Sequence, residues 1–240
     1  MTAGALTLGV AACGGGAEDS GASAEDAAPG TAPDSSQPAP DDTSTTVARA
    51  TGDGVAVFAD ADDTEPVVAV PGTTTFGFRQ AFLVLDESGD SLHVLVPGRP
   101  NGSTGWIRRA DVELQMVDHH VEVDLGARTL TLRSGDDVVL QTTVAIGAPD
   151  VPTPTGRFFV TDLLETGDPD HDYGPYAIGL SGYSNKLTDF AGGDGQIGVH
   201  GTNDPASIGQ AVSHGCVRVP NDVITTLATT MPIGTPVTIH

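Results

Sequence analysis

The chain of 240 residues is short of cysteine, of positive charge and of long apolar runs, and each shortage excludes something. Two cysteines, Cys13 and Cys216, leave no room for a disulfide framework. Ten Lys and Arg stand against 32 Asp and Glu, and Lys186 is the single lysine. A net charge of -22 repels phosphate backbones, which excludes nucleic acid as a partner. The acids are scattered rather than gathered in a block, the pattern of a solvated surface. No apolar run approaches the roughly 20 residues that a bilayer-spanning helix needs.

What is present begins with "GALTLGVAACGGG", a short apolar run of small residues leading into Cys13. Val10-Ala11-Ala12-Cys13 resembles the lipobox that ends a bacterial lipoprotein signal, although no Lys or Arg precedes the run. The resemblance implies that residues 1–13 are a signal remnant and that Cys13 carries lipid. Two acyl chains would anchor the protein stably, its only association with a membrane. The expected location is the cell envelope, extracytoplasmic, on the cytoplasmic membrane. Cys216 then has no partner for a disulfide. Residues 14–49 are almost all Ala, Gly, Ser, Thr, Pro and acids, too poor in apolar side chains to offset ordering entropy, and are expected to form a disordered tether.

From residue 50 to 115, short β-branched and aromatic runs alternate with Gly, Pro and Asp clusters, which predicts a small all-β domain. Gly105-Trp106-Ile107 with Ala110-Asp111-Val112 resembles the close of bacterial SH3-like domains; Trp106 reads as a core aromatic before a binding one. Residues 116–240 begin a second series of alternating runs, predicting antiparallel hairpins. The Gly- and Asp-rich stretch 165–196 has no clear period and predicts a functional loop or lid carrying Tyr176 and Tyr183. "NDVITTLATT" predicts a short helix capped by Asn221 or Asp222, followed by a final strand. The fold class is mainly β, with one short helix.

The densest chemistry lies in "IGVHGTNDPASIGQAVSHGCVRVPNDV". A thiol with an ordinary pKa near 8.5 is mostly protonated at neutral pH, and only its thiolate attacks carbonyls well. An imidazole can take that proton and leave an ion pair. Two histidines are candidates: His214, two residues before Cys216, could share a face with it in an extended segment, and His200 would come from a neighbouring strand. Gly215 between them permits an unusual backbone. Zinc on His171, His200, His214 and Cys216 is the less fitting reading, because the spacing is not that of a zinc knuckle and a second thiol is lacking. No metal or other cofactor is expected. His93, His119, His120 and His240 read as surface or strand residues.

His200 followed by Ser213-His214-Gly215-Cys216 and Arg218 resembles the signature of the L,D-transpeptidase (YkuD-like) catalytic domain family. "VAIGAPDVPTPTG" and "GPYAIGLSGYS" support it, and the likeness covers about residues 120–240. The resemblance implies an SH3-like barrel followed by a β-sandwich catalytic domain. It makes Cys216 the nucleophile, His200 the base and the Gly201 carbonyl the partner of its second ring nitrogen. The backbone amides of His214, Gly215 and Cys216 become the oxyanion donors, which are preorganised and need no proton transfer. Ser213 reads as a loop-holding hydroxyl, catalytic or structural. Arg218 reads as a clamp for a substrate carboxylate or as half of a structural salt bridge; Tyr176 and Tyr183 could pack on substrate.

The implied activity is peptidoglycan cross-linking of the 3→3 type through a cysteine thioester, with stem peptides as substrate and β-lactams, carbapenems above all, as acylating inhibitors. Three rivals stand beside it. An L,D-carboxypeptidase would use water as acceptor with the same residues. A papain- or NlpC-type peptidase places Cys before His, the reverse of the order here. A wall-binding lipoprotein without catalysis has no need of a nucleophile.

Overall fold

The computed structural model describes residues 44–189 and 193–240. Cys13 and nearly all of the expected tether lie outside the described residues. The described residues fall in one compact unit.

Seven strands make up its first part: β1 (Thr45–Ala50), β2 (Gly54–Val57), β3 (Val68–Pro71), β4 (Ala81–Ser88), β5 (Ser91–Leu95), β6 (Thr104–Arg108) and β7 (Val112–Val117). They build a five-stranded sheet in the order β6-β5-β4-β1-β7, with β2 and β3 as a separate hairpin. Thr45–Arg49, expected in the tether, instead forms most of β1, paired antiparallel to both β4 and β7. The reason is local: Val47 and Ala48 are fully buried, so this stretch has the apolar area that the Pro- and Ser-rich residues before it lack. Trp106 is half-buried and stacked on His93, with ring centroids 4.9 Å apart.

The second part comprises β8 (His119–Asp124), β9 (Thr129–Ser134), β10 (Asp137–Thr143), β11 (Ile146–Gly147), β12 (Gly156–Glu165), β13 (Tyr176–Tyr183), β14 (Gln196–His200), β15 (Ala211–Ser213), β16 (Val217–Arg218), α1 (Asn221–Thr230) and β17 (Pro236–Ile239). Eight of these strands form a sheet in the order β10-β9-β8-β17-β12-β13-β14-β16. Helix α1 buries Ile224 and Leu227, spaced one turn apart, and packs against β13 and β14. The chain is mainly β, with one α-helix among the described residues.

Three expectations are corrected here. Stretch 165–196 is not one loop, because β13 runs through it, and Tyr176 and Tyr183 are the ends of that strand. Helix α1 has Pro220 at its cap position and no side-chain cap, because Asn221 Oδ1 is drawn away to accept from the Thr202 N–H at 2.8 Å. The sheets change over between Val117 and His119, but the core does not divide there. Val47, Ala81, Leu83, Leu95 and Val117 of the first part belong to the same buried cluster as Phe158, Leu180 and Ile224 of the second. A Cβ on Gly234 would lie 2.3 Å from Val47 Cγ1, so β1 is seated directly on that glycine.

Candidate active site

β14 and β16 run side by side and parallel, with His200 opposite Arg218. That register brings the end of one strand beside the segment just past Cys216, and the two sequence-distant parts of the motif meet in one cavity. The cavity is about 1100 Å³, and His200, Ser213, His214, Cys216 and Arg218 all line it.

His200 is buried, and its Nδ1 lies 2.6 Å from the Gly201 carbonyl oxygen. A carbonyl only accepts, so Nδ1 carries the hydrogen and Nε2 is left as the basic nitrogen. Gly201 is needed for this. A Cβ there would lie 2.3 Å from Asn221 Oδ1 and 3.0 Å from Ile224 Cγ2, so any side chain would push the turn off helix α1. Burial lowers the His200 pKa from 6.5 to about 4, partly opposed by the Gly201 bond. Burial pushes the Cys216 thiol up, while a hydrogen bond to the Gly198 backbone and the Arg218 charge pull it down. Both shifts favour the uncharged forms, so burial works against the expected ion pair.

The loop before Cys216 is bent rather than extended, with Gly215 at φ +115°. His214 is exposed and Cys216 partly buried, and both line the cavity from this bend. Buried Ser213 holds the bend: its hydroxyl donates to the Cys216 carbonyl at 2.5 Å and accepts from the Gly215 N–H at 3.2 Å. This corrects the oxyanion expectation for Gly215, whose amide is already engaged.

Arg218 forms no salt bridge among the described residues. Among the described residues the ion pairs are Arg109–Glu87 and His240–Glu122, and the buried Arg218 Nε has no hydrogen-bond partner. A cation at a cavity wall with an unused donor is suited to an anionic group. No cluster of His, Cys, Asp or Glu among the described residues is arranged to hold a metal.

Neither expected tyrosine reaches this cavity. Tyr176 packs against the core. Tyr183 lies under Arg99, whose guanidinium carbon is 4.6 Å from the ring centroid, and Asn101 pairs with its backbone at 2.8 and 2.9 Å. Tyr173 takes the place instead: its ring meets the His200 ring edge-on at 4.6 Å and lines the cavity. Burial first, with the Asp172 charge beside it, raises its phenol pKa, keeping it neutral. The next residue draws the loop down, since a Cβ on Gly174 (φ +61°) would lie 2.8 Å from Gly201 Cα.

The family model of the L,D-transpeptidase catalytic domain, YkuD, matches residues 118–239. YkuD of Bacillus subtilis (strain 168), which carries the name of an L,D-transpeptidase, is 34% identical over 147 residues, spanning 61% of this chain and 74% of its own. YqjB of the same organism, named likewise, is 40% identical over 107 residues, 40% of this chain and 56% of its own. The crystal structure of L,D-transpeptidase 3 from Mycobacterium tuberculosis aligns with a TM-score of 0.45 at 13% identity, covering 68% of this chain and 92% of that one. With a catalytic-domain match over half its length and a relative at 34% identity, this chain belongs to the YkuD family of L,D-transpeptidase catalytic domains.

Proposed function

We propose that the protein is a peptidoglycan L,D-transpeptidase that forms 3→3 cross-links through a thioester on Cys216. The observation that carries this is the His200 Nδ1–Gly201 contact of 2.6 Å, which leaves Nε2 as a base in the cavity that also holds Cys216. As the Cys216 sulfur attacks the carbonyl between the third and fourth stem residues, its proton passes to His200 Nε2. The proton affinity of the imidazole rises only as the sulfur gains charge, so transfer and attack proceed in step. The Cys216 amide, beyond the Gly215 turn, is the donor we assign to the oxyanion. Collapse breaks the C–N bond, His200 returns the proton to the departing D-alanine amine, and a thioester remains. An amine of a second stem then attacks and gives its proton to His200. The new amide bond forms, and the sulfur leaves and is reprotonated.

Arg218 is assigned to a stem carboxylate on the strength of its unpartnered Nε. β-Lactams, carbapenems in particular, would open on the same sulfur. The SH3-like character of the first part, the lipid on Cys13 and the envelope location are proposals resting on "GWI…ADV" and "VAAC".

Purified tetrapeptide muropeptides incubated with the protein test the reading by mass spectrometry. Dimers of 3→3 linkage are expected, and they should vanish in Cys216→Ser. Loss of D-alanine without dimers would replace it with an L,D-carboxypeptidase.

A further inference from the structure

We propose that Phe76, from the first part of the chain, is a specificity-determining wall of the Cys216 cavity, and that Thr74 is its positioning residue. This rests on the reading of Cys216 as the reacting thiol. Thr75 and Phe76 line the same cavity as Cys216, His200 and Arg218, although they lie far from all motif residues in sequence. Phe76 is 55% exposed. A single exposed aromatic is unremarkable on a surface. At the mouth of a cavity that leads to a thiol, it is apolar area offered to whatever enters.

The loop that carries it is held at both ends. Thr73 bridges Arg79, the Thr74 N–H donates to the Phe78 carbonyl at 2.8 Å, and Gly77 (φ +85°) donates back to the Thr74 carbonyl at 3.0 Å. The Thr74 hydroxyl accepts from the Phe78 N–H at 3.3 Å and donates to Asp162 Oδ1 at 2.5 Å. Asp162 is buried on β12; its other oxygen accepts from Thr161 Oγ1 at 2.7 Å and from Gln196 Nε2 at 3.3 Å. Gln196 opens β14, the strand that ends in His200. A single carboxylate thus fixes the Phe76 loop and the root of the strand bearing the imidazole. The first part of the chain supplies a wall of the cavity, not merely a support beside it.

The test uses the full-length protein and the alkylation rate at Cys216, read by peptide mapping, with iodoacetamide and with the bulky N-pyrenylmaleimide. Phe76→Ala should raise the bulky-to-small rate ratio by roughly tenfold, a discrimination typical of one apolar wall. Thr74→Val should reproduce the change, Thr74→Ser should restore the wild-type ratio, and the Phe76→Ala/Thr74→Val double variant should add nothing to Phe76→Ala. With a stem tetrapeptide, Phe76→Ala should raise KM and leave kcat close to wild type. An unchanged ratio in Phe76→Ala overturns the proposal, and a wild-type ratio in Thr74→Val overturns its positioning half. A shifted ratio in a protein inert to stem peptides would overturn the transpeptidase reading and leave the wall standing.

Discussion

The Ser213 hydroxyl reaches over two residues to the Cys216 carbonyl oxygen at 2.5 Å, closing the bend that presents the thiol. Ser213→Ala strands that carbonyl and the Gly215 N–H in a buried place. We expect a loss of about 1–3 kcal/mol in stability. Acylation of Cys216 should slow by roughly 10²-fold, the scale of a misplaced oxyanion donor. Ser213→Thr keeps the hydroxyl and should recover most of both. Thermal melts and the intact mass after carbapenem exposure measure the two effects; full acylation by Ser213→Ala would show that the bend holds without the hydroxyl.

The two histidines should fail differently. His200→Ala removes the base and should abolish acylation at neutral pH, with partial recovery as rising pH ionises the thiol unaided. His214→Ala should slow acylation without alkaline recovery, because the thiolate is not what it lacks. The pH profiles of thiol alkylation and of substrate acylation, measured side by side on both variants, decide this. A shifted thiol titration in His214→Ala alone would reverse the roles.

The buried imidazole should make the fold acid-sensitive. The His200 pKa is depressed from 6.5 to about 4 in the folded state, so between those values the unfolded chain binds more protons. Stability contributed by the neutral ring is therefore present above about pH 6.5 and lost as pH falls toward about 4. At about 1.4 kcal/mol per tenfold change in proton affinity, the loss is at most about 3.5 kcal/mol. Urea midpoints from pH 7 to 4 should fall more steeply in wild type than in His200→Gln; equal slopes would place the acid sensitivity elsewhere.

Arg218→Met should trade binding against stability. It removes a charged group with an unpartnered buried Nε, so Tm should fall little or rise. KM for a stem peptide should increase by about tenfold or more, the value of a lost charge-assisted contact. A large drop in Tm with unchanged KM would make Arg218 structural.

Much of the catalytic half was legible because its chemistry is local in sequence: Ser213, Gly215 and Cys216 occupy one bend, and Gly201 follows His200 directly. The β13 strand was not legible, since Gly179 and Gly182 break its alternation. Both glycines answer to distant atoms. A Cβ on Gly179 would lie 2.8 Å from Asp162 Oδ2, and one on Gly182 would lie 2.3 Å from Phe158 Cε1. A glycine demanded by close packing reads, in sequence, like a glycine demanded by a turn. For the same reason Tyr173 was missed among three tyrosines: what singles it out is the descent of Gly174 onto Gly201. The Asp162 bonds to Thr74 and Gln196 join positions 88 and 34 residues apart, which no local pattern records.

The seat of Val47 on Gly234 also bears on how such a chain can change over generations. Neither residue can be replaced without regard to the other, since a methyl group at 234 would occupy the space of the valine. Exchange of the first hundred residues for an unrelated segment would uncover that glycine and the apolar wall around it. The join near residue 118 is therefore a poor crossover point for shuffling, since a new partner would have to bring its own side chain into the space above Gly234.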